Sequence, residues 1–381
     1  MKNNILIKNR EECSGCSACM NACPRGAITM QGDDEGFLYP KIDSSLCVSC
    51  GKCVDVCSFN KSYERGKLKP SVYGVKHVLD KVREKSSSGG MFTAISDFVL
   101  ENEGVVYGVV FDKAFKVCHS DAKTYEDRDK MCSSKYVQSD IGKIFTDVKQ
   151  DLDDEKYVVF SGTPCQVAGL ISFLGGKHEN LLTCDLICHG VCSPLLWDDY
   201  LKYLEKTYKS KILSYNFRHR WKGLNVFCKF ENGKVLDNSE GLLKYPRLFY
   251  SNMALRPSCH NCYFSNVERC SDITIGDFWG IEKVMPEFED EIGVSLVFVN
   301  TEKGEKVFEN LRSNLIVREL DIKNSLQDSL QRPTAKPEMR ESFWRDYRDK
   351  GFKYVSKKYT DTGILCKTKK FLGRVKRAVI K

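Results

Sequence analysis

Short apolar runs alternate with helix-periodic stretches from residue 72 onward. Val72-Tyr73-Gly74-Val75 predicts a strand. After a polar Ser/Gly stretch, Met91, Phe92, Ile95, Phe98 and Val99 recur at helical spacing, with Gly104 as the expected C-terminal cap. Residues 105–111 form an apolar strand interrupted by Gly108, and residues 157–160 a short buried one. A helix through Val167, Leu170, Ile171 and Leu174 follows. Residues 181–187 are another strand, after which Ser193-Pro194 opens a helix with cap and proline in the expected order. Further strands are expected at 272–275 and 294–299, and residues 282–359 otherwise mix charged helical stretches without readable chemistry. The fold class expected is α+β / α/β, a mixed α/β domain preceded by a small unit of different character.

That small unit carries eight cysteines on a fixed ladder. Cys13, Cys16, Cys19 and Cys23 are followed by Pro24, and Cys47, Cys50, Cys53 and Cys57 repeat the spacing with Ser58 in the proline's place. The spacing is that of bacterial two-cluster ferredoxins, in which the fourth cysteine of each run ligates the other cluster. Cys13, Cys16, Cys19 and Cys57 are therefore assigned to one 4Fe-4S cluster, and Cys47, Cys50, Cys53 and Cys23 to the other. Structural zinc usually uses two C-x2-C pairs across a longer gap, and disulfides suit secreted chains; the doubled ladder argues against both.

Composition narrows the class. Nineteen cysteines in 381 residues are far too many for an ordinary cytosolic protein unless many hold metal. The N-terminal MKNNILIKNR lacks the apolar core of a secretory signal, no stretch reaches the roughly 20 apolar residues of a membrane helix, and free thiolates need a reducing compartment. The expected location is cytoplasmic. The net charge of +8 suggests nucleic acid until it is located: Lys367, Lys369, Lys370, Arg374, Lys376, Arg377 and Lys381 supply nearly all of it. The body is close to neutral, so no nucleic-acid face is expected. The tail sets Phe371, Leu372, Val375 and Val379 on one face of a basic helix, a candidate for peripheral contact with an anionic membrane or a partner protein. A solvated terminus is the competing reading.

Several loops carry candidate chemistry. Ser86-Ser87-Ser88-Gly89-Gly90 opens a helix and suits a phosphate or pyrophosphate, although Ser-Gly also makes an ordinary cap. Cys132–Ser139 mixes hydroxyls, Lys135 and Tyr136 in one loop, and Ser161-Gly162-Thr163-Pro164-Cys165-Gln166 and Cys188-His189-Gly190-Val191-Cys192 each follow a strand. In open α/β sheets that edge binds ligands. Cys259 and Cys262 form a C-x2-C pair with Cys270 eight positions on, which predicts a third metal site. A 4Fe-4S cluster and tetrahedral zinc are both open at this point, with Cys165, then Cys188, as the candidate fourth ligand. Asp277 either approaches a ligand or caps its turn.

Taken together, the ladder, SSSGGMFTA, SKYVQS, SGTPCQVAGL, DLICHGVCSP and CHNCYFSNVERCSDITIGDFWG resemble the β-subunit family of coenzyme F-420 hydrogenases and dehydrogenases, from residue 13 to about 359. The resemblance implies FAD. Ser87, Ser88, Gly89, Gly90 and Thr93 would contact the flavin nucleotide, Ser134, Lys135, Tyr136 and Gln138 would line its pocket, and Gly162, Thr163 and Gln166 would stand nearby. It also favours iron–sulfur over zinc at Cys259, Cys262 and Cys270. The implied domains are 1–60 (two 4Fe-4S clusters), 61–70 (linker), 71–360 (FAD and iron–sulfur binding) and 361–381 (basic tail). The implied function is an iron–sulfur flavoprotein oxidoreductase passing electrons between clusters, FAD and an organic two-electron substrate such as coenzyme F-420. It would exchange electrons with a redox partner such as a ferredoxin or another subunit. The alternative is a non-catalytic electron-transfer subunit of a larger complex.

Overall fold

The computed structural model describes residues 9–60, 69–221 and 225–360. Most of the expected linker and all of the basic tail lie outside the described residues. The N-terminal unit is a hairpin of β1 (Ile28–Gly32) and β2 (Leu38–Ile42), paired from Ile28↔Ile42 to Gly32↔Leu38. Two short helices, Ala18–Ala22 and Lys52–Asp55, start at left-handed Ser17 and Gly51, as the tight cysteine loops require.

The rest of the chain adds β3 (Ser71–His77), β4 (Val105–Phe111), β5 (Val117–Ala122), β6 (Val158–Gly162), β7 (Leu181–Leu186), β8 (Ile212–Asn216), β9 (Phe227–Phe230), β10 (Val235–Asp237), β11 (Ile273–Asp277), β12 (Ser295–Val299) and β13 (Leu315–Leu320). Strands β8–β10 make a small antiparallel sheet. The other eight form one mixed sheet in the order β13-β3-β12-β11-β7-β6-β4-β5. Its centre, β11-β7-β6-β4, is parallel, and antiparallel strands flank it. Because β3 and β11 both run against β12, β3 points the same way as the parallel centre. Five strands thus end at one edge.

Side-chain alternation clads both faces of this sheet. Val106, Val159 and Leu182 bury against the helices Met91–Glu101 and Glu302–Leu311, whereas Val105, Tyr107, Val158, Phe160 and Leu181 face Phe145, Val148, Val167 and Leu170. An aromatic core around Trp197, Tyr200, Tyr215, Phe217, Tyr245 and Trp344 joins the small sheet to the C-terminal helix Arg340–Tyr359.

The expected strands and helices are present with shifted ends, and one cap is corrected. Helix Met91–Glu101 turns out through left-handed Glu103, not Gly104. A Cβ on Gly104 would lie 2.4 Å from the Tyr157 carbonyl oxygen, so glycine there permits β4 to start beside β6.

Two buried arginines tie the hairpin unit to the sheet domain. Arg340 grips Glu35 with both Nη atoms and donates from Nη2 to the Leu255 carbonyl at 3.0 Å. Arg256 donates from Nε to the Cys13 carbonyl at 2.7 Å, from Nη2 to that of Leu38 at 2.9 Å and from Nη1 to Gln138 Oε1 at 2.8 Å. Arg340→Met leaves the buried Glu35 carboxylate with only the half-exposed Arg10, 3.7 Å away, with an expected loss of about 3 kcal/mol. The double variant Glu35→Gln/Arg340→Met should cost less than the sum of the two single changes, as read from urea unfolding midpoints.

Candidate functional site

Four of the five co-directed strands, β3, β6, β7 and β11, bring their C-terminal ends and following loops to one cavity of about 440 Å³, and β4 adds Gly108 and Val109 from within the strand. Its lining includes Ser86–Ser88 and Gly90 beyond β3, Ser161–Thr163 at the end of β6, Ile187–Val191 beyond β7 and Ile275–Asp277 in β11. The Cys132–Val137 loop closes another wall. Helix Met91–Glu101 begins here at left-handed Gly90 with no side-chain cap, and Met91 and Phe92 line the cavity. Its uncapped N–H groups and positive dipole end fit an anion.

Of the twelve predicted cofactor residues, Ser87, Ser88, Gly90, Ser134, Lys135, Tyr136, Gly162, Thr163 and Gln166 line this cavity, and three do not. Gly89 packs on the sheet, where a Cβ would stand 2.1 Å from the Val75 carbonyl oxygen. Thr93 is buried with its hydroxyl toward Ser86 and Cys132. Gln138 faces the hairpin unit, donating to the Ser14 carbonyl at 2.9 Å while accepting from Arg256.

The cysteines fall into three groups. Cys13 and Cys57 are close enough to Cys16 and Cys19 to raise the pKa of both, beneath the larger effect of burial. Cys23, Cys47, Cys50 and Cys53 line one small hollow with Pro24 and Ile28. The third group is Cys165, Cys188, Cys259 and Cys262: burial pushes Cys165 and Cys259 up to about 12, and Cys188 well above its ordinary value, with the neighbouring thiols adding to each. Thiols so buried need a cationic core to ionise, which fits a metal cluster. Cys270, expected as a ligand beside Cys259 and Cys262, shares a core cluster with Cys165 and Cys262 but has other main charged neighbours. Burial raises it too, and those neighbours are Asp185, Arg269 and Lys177. Cys165 and Cys188 both join Cys259 and Cys262. Among the described residues no three His, Cys, Asp or Glu side chains converge on a single-ion position.

The third group spans the gap between hairpin and cavity. Ser14 from the first cysteine loop lies against the Cys165 thiol, a Cβ on Gly169 would lie 2.8 Å from Cys16 Sγ, and Cys188 lines the cavity itself.

The cavity's charge was less legible. Arg218 is buried, with Nη1 donating to Asp277 Oδ2 at 2.7 Å, its guanidinium 4.8 Å from the Trp279 ring centre and Nε without a partner. Nothing in the spacing around Arg218 marks it, although Asp277 stood out. Lys135 Nζ has only carbonyls at 3.2–3.4 Å, and burial lowers its pKa to about 8.

A ferredoxin-like hairpin unit on a mixed α/β sheet, with three groups of thiols, defines an iron–sulfur protein. Residues 12–61 match the 4Fe-4S dicluster domain, and residues 155–324 match the family described as the C terminus of the coenzyme F-420 hydrogenase/dehydrogenase beta subunit. Residues 155–324 thus carry the C-terminal region of that beta subunit family. The chain is 32% identical over 162 residues to the coenzyme F-420-dependent sulfite reductase of Methanocaldococcus jannaschii, covering 42% of this chain and 24% of that one. It thus spans about a quarter of that relative's length. An uncharacterized protein of the same organism is 25% identical over 351 residues, 81% of this chain and 88% of its own. A chain of the F-420-reducing NiFe hydrogenase complex of Methanosarcina barkeri superposes with a TM-score of 0.46 at 19% identity, covering 75% of this chain and 91% of that one. No helix among the described residues is long and apolar enough to cross a membrane.

Lys135 gives this site a pH signature. Its folded pKa is about 8 against an ordinary 10.5, so between those values the unfolded chain binds more protons and stability rises with pH. The unfolding free energy of the wild type should therefore increase from pH 7.5 to 9.5 relative to that of Lys135→Met, measured by urea titration at both values.

Proposed function

We propose that the chain is an iron–sulfur flavoprotein oxidoreductase that binds FAD in the cavity and exchanges electrons with an organic two-electron substrate, coenzyme F-420 being the leading candidate. The observation that carries this reading is the grouping of Cys165, Cys188, Cys259 and Cys262, in which Cys165 meets the Ser14 loop and Cys188 forms cavity wall. A third 4Fe-4S cluster held there would continue the two N-terminal clusters toward the cavity. Bound FAD would exchange hydride pairs with the substrate and single electrons with a cluster.

The chain's own residues have separate tasks in this reading. The uncapped N-terminus at Met91 and the Ser88 hydroxyl, 3.2 Å from Ser295 Oγ, hold the pyrophosphate, while Ser87 anchors their loop by donating to the Arg218 carbonyl at 2.6 Å. Thr163 and Gln166 are locked by a 3.0 Å hydrogen bond from the Thr163 N–H to Gln166 Oε1, which fixes the β6 loop beside the cofactor. Lys135 Nζ can give or take a proton near neutral pH as the substrate gains or loses hydride. At the outer end Cys50 is exposed, with Leu46 44% and Val48 60% exposed beside it. A redox partner protein docking there meets the second cluster. Residues 1–60 are then the electron-entry domain and 71–360 the FAD- and iron–sulfur-binding domain.

Anaerobic purification with iron, sulfide, zinc and flavin quantified on one sample tests the reading. About twelve iron and one FAD per chain are expected, and Cys188→Ser should lower iron to about eight while Cys270→Ser leaves it near twelve. Absence of flavin after reconstitution with FAD overturns the flavoprotein reading and leaves an electron carrier. Loss of iron in Cys270→Ser but not in Cys188→Ser overturns the third ligand set.

A further inference from the structure

We infer that Arg256 sets a reduction potential: its guanidinium, buried between the Cys13 loop and the Cys259 loop, favours the reduced form of the 4Fe-4S cluster assigned to Cys13, Cys16, Cys19 and Cys57. Arg256 is completely buried, and among the described residues no carboxylate forms an ion pair with it. Its charge is met by dipoles and π faces instead: the Cys13 and Leu38 carbonyls, the Gln138 amide, and the rings of Tyr39 at 4.2 Å and Phe37 at 5.5 Å. An uncompensated cation in a low-dielectric interior acts strongly on any charge added nearby.

A second observation ties that cation to the cluster loop. Gly15, between Cys13 and Cys16, has φ of 71°, and a Cβ there would lie 2.9 Å from Arg256 Nη1 and 2.7 Å from Gln138 Nε2. The loop is moulded onto the guanidinium with no room for a side chain. On the other side the Arg256 carbonyl accepts from the Cys259 N–H at 2.9 Å, so one residue also anchors the loop carrying two thiols of the interior group. Reduction of the cluster adds one electron with no bond made or broken, and a neighbouring positive charge stabilises the added negative charge. The guanidinium bonds to none of the residues around the hollow of Cys23, Cys47, Cys50 and Cys53, so the cluster assigned there is a reference within the same molecule.

EPR-monitored redox titration of the anaerobically purified full chain tests this. Arg256→Gln should weaken one-electron reduction of the first cluster at least tenfold, a downward shift of about 59 mV, with the second cluster unmoved. Arg256→Lys should keep most of the parent potential. Gln138→Glu leaves the arginine in place and sets a carboxylate against it, so it should lower the same potential even if Arg256→Gln fails to retain its cluster. Unchanged potentials in Arg256→Gln with iron intact overturn the inference. So does a lost cluster in Arg256→Gln with an unchanged potential in Gln138→Glu, since Arg256 would then be only a structural anchor. The readout needs no flavin, so a chain without FAD would overturn the functional reading and leave this one standing.

Discussion

The buried guanidinium of Arg256 is the constraint on which the arrangement of the sites depends. It bonds at once to the first cysteine loop, the end of the hairpin and the loop that lines the cavity. Burying an arginine is costly unless its donors are met, and the three partners of Arg256 all come from segments more than a hundred residues away. The hairpin unit cannot rotate against the sheet domain without stranding those donors. Arg340 and Glu35 repeat the arrangement at the hairpin turn, so two buried cations fix both ends of the small unit. Electron transfer is steeply sensitive to separation, and a rigid joint is what a chain of centres requires.

The sheet supplies the other half of the geometry. Loops leaving β6 and β7 carry Cys165 and Cys188 to the edge where β3 and β11 open the cavity. The same parallel directions that gather polar loops at one edge therefore also gather thiols there. Gly162 and Gly276 keep the floor shallow: a Cβ on Gly276 would meet Ile187 at 2.8 Å, and one on Gly162 would meet Phe160 at 3.1 Å. Small residues at strand ends are needed wherever two loops and a ligand share one edge.

The sequence pattern reached the strands, the helix starts and the cysteine ladder because each is local. Strand β6 reads as an apolar run, and Ser193-Pro194 as a helix start, from neighbouring residues alone. Spacing failed where contact is long-range. Cys270 sits eight positions after Cys262, yet its main charged neighbours are Asp185, Arg269 and Lys177, whereas Cys188 is neighboured by Cys165, Cys259 and Cys262. Gln138 lies in a motif of cavity residues but its side chain points to Ser14, 124 positions earlier in the chain. Gly89 and Gly104 looked like loop and cap chemistry, whereas both answer the close approach of another backbone. Arg256 and Arg340 had no local signal at all.

The Arg218 wall of the cavity limits what can bind there. Arg218 is pinned by Asp277 and by the Trp221 carbonyl, and lies over Trp279, which stacks on Trp221 with ring centres 5.4 Å apart and planes within 1°. Nη1 and Nη2 each have a partner, and Nε has none. The Arg218–Asp277 pair is neutral overall, so this wall does not select by net charge as the Met91 helix terminus does. Tyr136, stacked on Phe249 at 4.8 Å, and Tyr250 extend the aromatic surface into the cavity. A ligand seated there gains from a flat apolar face and one accepting atom placed at its edge, while a compact anion would gain little. The Ser87 hydroxyl bonds to the Arg218 carbonyl at 2.6 Å, so the anion-fitting helix start and the flat aromatic surface are neighbours, which suits a ligand that carries a phosphate and a planar heterocycle.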